Sequence, residues 1–229
     1  MIALHQVFET ARGLFDFSVQ ERALLEKLNV EDRLASLTKS RQGLQEFALA
    51  FQFVRRDFPV HNFIVGSRCT PHEAYWRGLA TNLWEELGAG VGPTHNELFR
   101  RFFRSTGLRE EPEFQEPSFA IDYNRAWAAH ARKAPLLEAL SAIGIFESYD
   151  EPDYGMFLRA LERGSGRNCD LTFFQVHANA HHTDFFDCLA EHEARAALET
   201  AASAAAVFVA ETQERLWCAL LAHLERGRS

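Results

Sequence analysis

What this chain of 229 residues lacks already narrows its class. Its four cysteines, Cys69, Cys169, Cys188 and Cys218, are scattered and form no C-x-x-C pair, which excludes the disulfide framework of a small secreted domain and a thiolate zinc site. No stretch of about 18 uncharged apolar residues occurs, so no membrane-spanning helix is expected, and residues 1–6 lack the basic and apolar regions of an export signal. Basic residues are outnumbered, 24 Lys and Arg against 32 Asp and Glu, for a net charge of −8. That balance offers no basic surface to displace phosphate counterions, so no nucleic-acid partner is expected. A soluble, cytoplasmic protein is the resulting expectation.

Proline and glycine are also sparse, at 7 and 13 residues, and they collect between long runs dominated by Ala, Leu, Glu and Arg. Such runs favour helix over strand. With 47% apolar residues the chain has material for a substantial core. The reading is an all-α fold forming one domain over residues 1–229.

Local signals place the helices. Short amphipathic segments break near Asn29, and a longer helix follows Ser36 and runs to about Arg56, where Phe58-Pro59 ends it. Another covers about 61 to 68. Thr70-Pro71-His72-Glu73 reads as N-cap, first-turn proline and capping glutamate of a helix reaching Leu87, which Gly88 terminates. Thr94-His95-Asn96-Glu97 is a second capping box, opening a helix that ends around Gly107. Arg109 to Pro117 reads as a surface loop. Further helices are expected at about 118–132, 135–148, 152–163, 170–189 and 192–224, and the small residues of Ala197 to Ala210 should let neighbouring helices approach closely.

Several polar residues fall on apolar faces. Glu86 shares an arc with Tyr75, Trp76, Leu79, Leu83 and Leu87, whereas Glu85 lies at its edge. Glu147 follows Leu136, Leu140, Ile143 and Gly144 along one stripe, although a position at the helix terminus would also let it reach water. A buried, unpaired carboxylate costs several kcal/mol or takes up a proton, so such residues call for a donor or a cation. In a single helix over 170–189, His177, His181 and Asp184 at i, i+4 and i+7 would lie within about 60° of one another. Glu86, His95, Glu147, His177, His181 and Asp184 are therefore the candidate metal ligands. A mixed nitrogen and oxygen set of six suits two iron ions better than structural zinc.

Asn82-Leu83-Trp84-Glu85-Glu86-Leu87-Gly88-Ala89-Gly90, followed by His95 and Leu98-Phe99, resembles the first ligand helix of the haem-oxygenase-like diiron oxidases, where the second acidic residue is the ligand. Ala142 to Glu147 resembles their middle ligand helix, and Phe173 to His177 the start of their third. The likeness covers about residues 70 to 190. It implies a haem-oxygenase-like helical bundle of about seven or more helices, like the thiaminase II and PqqC proteins, without haem.

The resemblance further implies two Fe(II) ions, with O₂ as co-substrate, oxidising a small amine- or amino-acid-derived molecule by N-oxygenation, C–C cleavage or desaturation in specialised metabolism. It leaves room for a homodimer. The third helix departs from the family order, which is histidine, acid, histidine; here His177, His181 and Asp184 exchange the last two types. Two alternatives stand beside this reading. One is a metal-free enzyme on the same bundle, similar to thiaminase II or PqqC, with Cys188 as nucleophile. The other is a non-catalytic small-molecule-binding helical protein.

Overall fold

A computed structural model describes residues 17–109, 114–165, 169–179 and 184–227, without the side chains of residues 184, 185 and 187. Among the described residues the regular structure is helical. The elements are α1 (Ser18–Leu28), α2 (Val30–Leu37), α3 (Arg41–Arg55), α4 (Phe58–Arg68), α5 (Glu73–Glu86), α6 (His95–Ser105), α7 (Ser118–Lys133), α8 (Leu136–Ser148), α9 (Asp150–Ser165), α10 (Thr172–Ala178), α11 (Asp184–His192) and α12 (Arg195–Arg226). A 3₁₀ turn, Gly88–Gly90, follows α5. No described helix is long and apolar enough to cross a membrane.

Local chemistry accounts for most boundaries. Asn29 takes the left-handed conformation (φ 49°) that separates α1 from α2. Ser40 caps α3 by accepting from the Gly43 N–H, and Thr94 caps α6 by accepting from the Glu97 N–H at 3.1 Å. Three expectations need correction. The proline at 59 lies in the first turn of α4, where its missing N–H costs nothing, so that helix starts at Phe58. His72, not Thr70, is the N-cap residue of α5, with no side-chain cap, because Cys69 to His72 closes a separate turn. Finally, the single helix expected over 170–189 is two: α10 stops at Ala178 and α11 begins at Asp184.

The centre of the bundle is aromatic. Phe47 and Phe51 of α3 meet Phe102 and Phe99 of α6, Phe157 of α9 and Phe174 of α10 with ring centroids 4.8 to 6.4 Å apart. Burial of each such ring stabilises the fold by about 1.5–3 kcal/mol. Helix α8 is apolar on nearly every side, with Ala139 to Ile145 all buried, as befits a helix enclosed by others. Its main partner is α12, whose Ala202, Ala205 and Ala206 are buried and permit the close approach expected of the alanine run. Beside this core, α3, α4, α5, α7, α8, α9, α10 and α12 contribute residues to one cavity.

Candidate metal centre

Glu86 occupies the last turn of α5. An anion there faces the negative end of the helix dipole, an unfavourable place that local preference does not explain. The chain then reverses through Gly88, which has a φ of +80°; a Cβ at this position would stand 2.7 Å from the Pro93 carbonyl oxygen, so the turn leaves room only for glycine. This reversal lays the start of α6 against the end of α5. His95 Nδ1 consequently lies 2.9 Å from Glu86 Oε1.

The third member arrives from α10. His177 is 4% exposed, and its Nδ1–H donates to the Phe173 carbonyl at 2.8 Å. That bond occupies Nδ1 and leaves Nε2 toward Glu86 Oε1, 3.9 Å away. Rings hold the imidazole from several sides: Tyr154 stacks on it, Phe173 tilts against it, and His95 meets it edge-on, each with centroids 4.3 Å away. One donor atom from each of Glu86, His95 and His177 lies within 4.8 Å of the others. Among the described residues this is the one group with the composition and spacing of a metal site.

Electrostatics distinguishes the members. Burial opposes ionisation of Glu86, but the His177 and His95 imidazoles outweigh it and hold the carboxyl well below the usual glutamate range. Burial pushes His177 down, favouring the neutral ring that binds metals. At 3.9 Å the gap between His177 Nε2 and Glu86 Oε1 exceeds a direct hydrogen bond, and a divalent cation between them would serve both. Donors about 2.1 Å from one ion stand roughly 3–4 Å apart, so the residues present fit a single divalent metal.

Glu147 is buried, 5% exposed, and does not reach water as its place near the end of α8 would allow. Asn82 Nδ2, one turn before Glu86 on α5, donates to its Oε1 at 2.6 Å. Burial pushes Glu147 up to about 8, against the Asn82 bond, and the negative charges of Glu86 and Glu85 add to the rise. It stands beside the triad without belonging to it. His181 lies outside the described residues, as does the side chain of Asp184. Because α10 ends at Ala178, the i, i+4, i+7 argument no longer carries from His177 to Asp184.

Sequence reasoning missed several groups around this centre. Asp150, Asp153 and Tyr154 enter from the first turns of α9, where acidic residues are so usual that they signal nothing. Arg55 lies over the Phe99 and Phe173 rings at 5.0 and 4.8 Å and donates to Asn96. Glu86, Asp150, Asp153, Tyr154, His177 and Arg55 share a cavity of about 50 Å³ walled by Tyr123, Trp127, Phe157 and Trp217. That is room for a few water-sized groups. Tyr75, Trp76 and Phe173 are not among its walls. Cys188 is half-buried and donates to the Ala74 carbonyl, away from this lining.

In this all-helical bundle, one carboxylate and two imidazoles brought together make a candidate metal-binding site. Residues 45–225 match the family model described as "Iron-containing redox enzyme", and the chain belongs to that family, which has the haem-oxygenase-like fold. Two crystal structures of a CADD-like protein of unknown function from Nostoc punctiforme are similar in fold. One has a TM-score of 0.74 at 13% identity, covering 93% of this chain and 96% of that one. The other has a TM-score of 0.71 at 14% identity, covering 90% and 96%. No curated protein matches the chain.

Proposed function

We propose that this protein is a non-haem iron oxidoreductase that uses O₂ to oxidise a small amine- or amino-acid-derived substrate. The carrying observation is the apposition of His177 Nε2 and Glu86 Oε1, 3.9 Å apart, with His95 closing the set. Glu86, His95 and His177 would hold one Fe(II). Glu147, next to them, would serve a second ion together with His181 and Asp184, completing the diiron set that the resemblance implies.

Bound Fe(II) supplies electrons for O₂ reduction, chemistry that amino-acid side chains do not provide. The chain's own residues supply the setting. The Phe173 carbonyl orients the His177 ring, Asn82 orients Glu147, and Tyr154 and Phe173 keep water from the imidazole. Arg55 places a positive charge near Glu86, balancing the acidic wall of the cavity. The aromatic cavity opening onto Glu86 and His177 is the substrate chamber in this reading.

Anaerobic titration with Fe(II), followed by O₂ exposure under absorbance spectroscopy, tests the proposal. Two equivalents bound and a visible band that forms and decays support it. Fe(II) binding without any O₂-dependent change refutes the oxygenase reading, and a stoichiometry of one refutes its diiron form.

A further inference from the structure

The wall of the cavity holds donors that the fold does not use. Arg55, at the end of α3, has its guanidinium over the Phe99 and Phe173 rings, and its Nη1 donates to Asn96 Oδ1 at 2.8 Å. Those contacts hold the group in place. Its Nε and Nη2, whose N–H bonds run parallel by covalent geometry, have no hydrogen-bond or ion-pair partner among the described residues. Burial pulls Arg55 below the usual arginine range, and Glu86 attracts it without forming an ion pair. The guanidinium keeps its charge all the same.

Tyr154 of α9 offers a second donor of this kind. The hydroxyls of Tyr75, Tyr123 and Tyr149 donate to Glu193, Gln213 and Gln20. That of Tyr154 has no partner among the described residues, yet it is not one of the polar atoms sealed inside the fold, and its residue lines the cavity. A small ligand can therefore reach it. Phe173 ties the two donors together, since Arg55 lies over its ring at 4.8 Å and the Tyr154 ring meets it edge-on at 5.5 Å. His177, one turn after Phe173, stacks with Tyr154 at 4.3 Å, so both donors stand beside the candidate metal centre.

Arg55 is also the one positive charge on this wall, because burial keeps His61, at about 4, and His177 neutral. Burial holds Asp150 and Asp153 well above the usual carboxylate range, so both keep their protons and do not repel an anion. Glu86 is ionised, but its charge is engaged by His177 and His95. A carboxylate matches what remains: its two oxygens meet the parallel N–H bonds of an arginine fork, with lone pairs left over for a phenol O–H. We propose that Arg55 and Tyr154 form a receptor for a carboxylate, which anchors the acid end of the substrate in the cavity. This rests on reading the cavity as the substrate chamber, and it selects amino acids and other carboxylic acids over simple amines as the substrate class.

The test is calorimetric titration of the full chain, metal-free and then with Mn(II), using propionate, n-propanol and n-propylamine at neutral pH. Propionate is expected to bind the metal-free chain about tenfold or more tightly than either analogue. Arg55→Met should reduce propionate affinity about tenfold or more, and Tyr154→Phe, which keeps the ring beside His177, about threefold or more. Neither change should weaken Mn(II) binding. Should one variant fail to fold by circular dichroism, the other variant and the ranking of the three ligands on the metal-free wild type decide. Equal binding of propionate and propanol overturns the proposal, as does unchanged propionate affinity in the variants that fold. Propionate binding that requires Mn(II) and survives Arg55→Met would assign the carboxylate to the metal and also overturn it. Propionate binding that is lost in Arg55→Met, in a chain that binds no Mn(II), would refute the metal centre and leave the receptor standing.

Discussion

His177 faces Glu86 across 3.9 Å while its Nδ1–H donates to the Phe173 carbonyl. Removing either residue should therefore cost metal binding far more than it costs folding. His177→Ala and Glu86→Ala are each expected to weaken Mn(II) or Fe(II) affinity by about 10–100-fold or more, since loss of even an outer partner has effects of that size. Anaerobic calorimetry on the folded variants measures it.

The reversal at Gly88 makes a backbone prediction about the same centre. Gly88→Ala forces a Cβ into a left-handed residue and against the Pro93 oxygen. The expected cost is about 1–3 kcal/mol in chemical denaturation, with metal affinity falling because His95 moves relative to Glu86. A variant with unchanged stability and metal binding would contradict the role given to this turn.

Glu147 supplies a pH signature. Its folded pKa, about 8, lies above the ordinary glutamate value of 4.5, so the folded state binds the extra proton between these limits. Its contribution thus falls as pH rises through that window and is flat above it. Metal-free protein should accordingly lose thermal stability from about pH 5 to 8 more steeply than Glu147→Gln does. Parallel pH profiles for the two proteins would contradict the buried, protonated carboxyl.

Asn82 donates to Glu147 and lies one turn from Glu86. Asn82→Ala removes that donor and should destabilise the metal-free fold by about 1–3 kcal/mol. Part of that loss should return on adding Mn(II), read as a larger rise in melting temperature than the wild type shows.

Much of this was legible in the chain because hydrophobic period and capping chemistry are local. Thr94 and Glu97 marked the start of α6, and the apolar arc separated Glu86, which bonds His95, from Glu85, which is exposed. The stripe of α8 likewise pointed to an inward Glu147. Other features depend on contacts far along the sequence. Glu21 meets Trp217 across 196 residues, and nothing near either one announces it. Asp150 and Asp153 were hidden for a different reason: carboxylates in a helix's first turn are ordinary, and only burial distinguishes these. The 170–189 segment misled because its periodicity is helical on both sides of a break, and periodicity alone does not register where a helix stops.

The most direct test of the account is an anomalous difference map from crystals grown with Mn(II) or Fe(II). The account predicts a peak within coordination distance of Glu86, His95 Nδ1 and His177 Nε2 together. A map without that peak, with Glu86 and His95 still hydrogen-bonded and His177 Nε2 bonded to a proton donor instead, would contradict it.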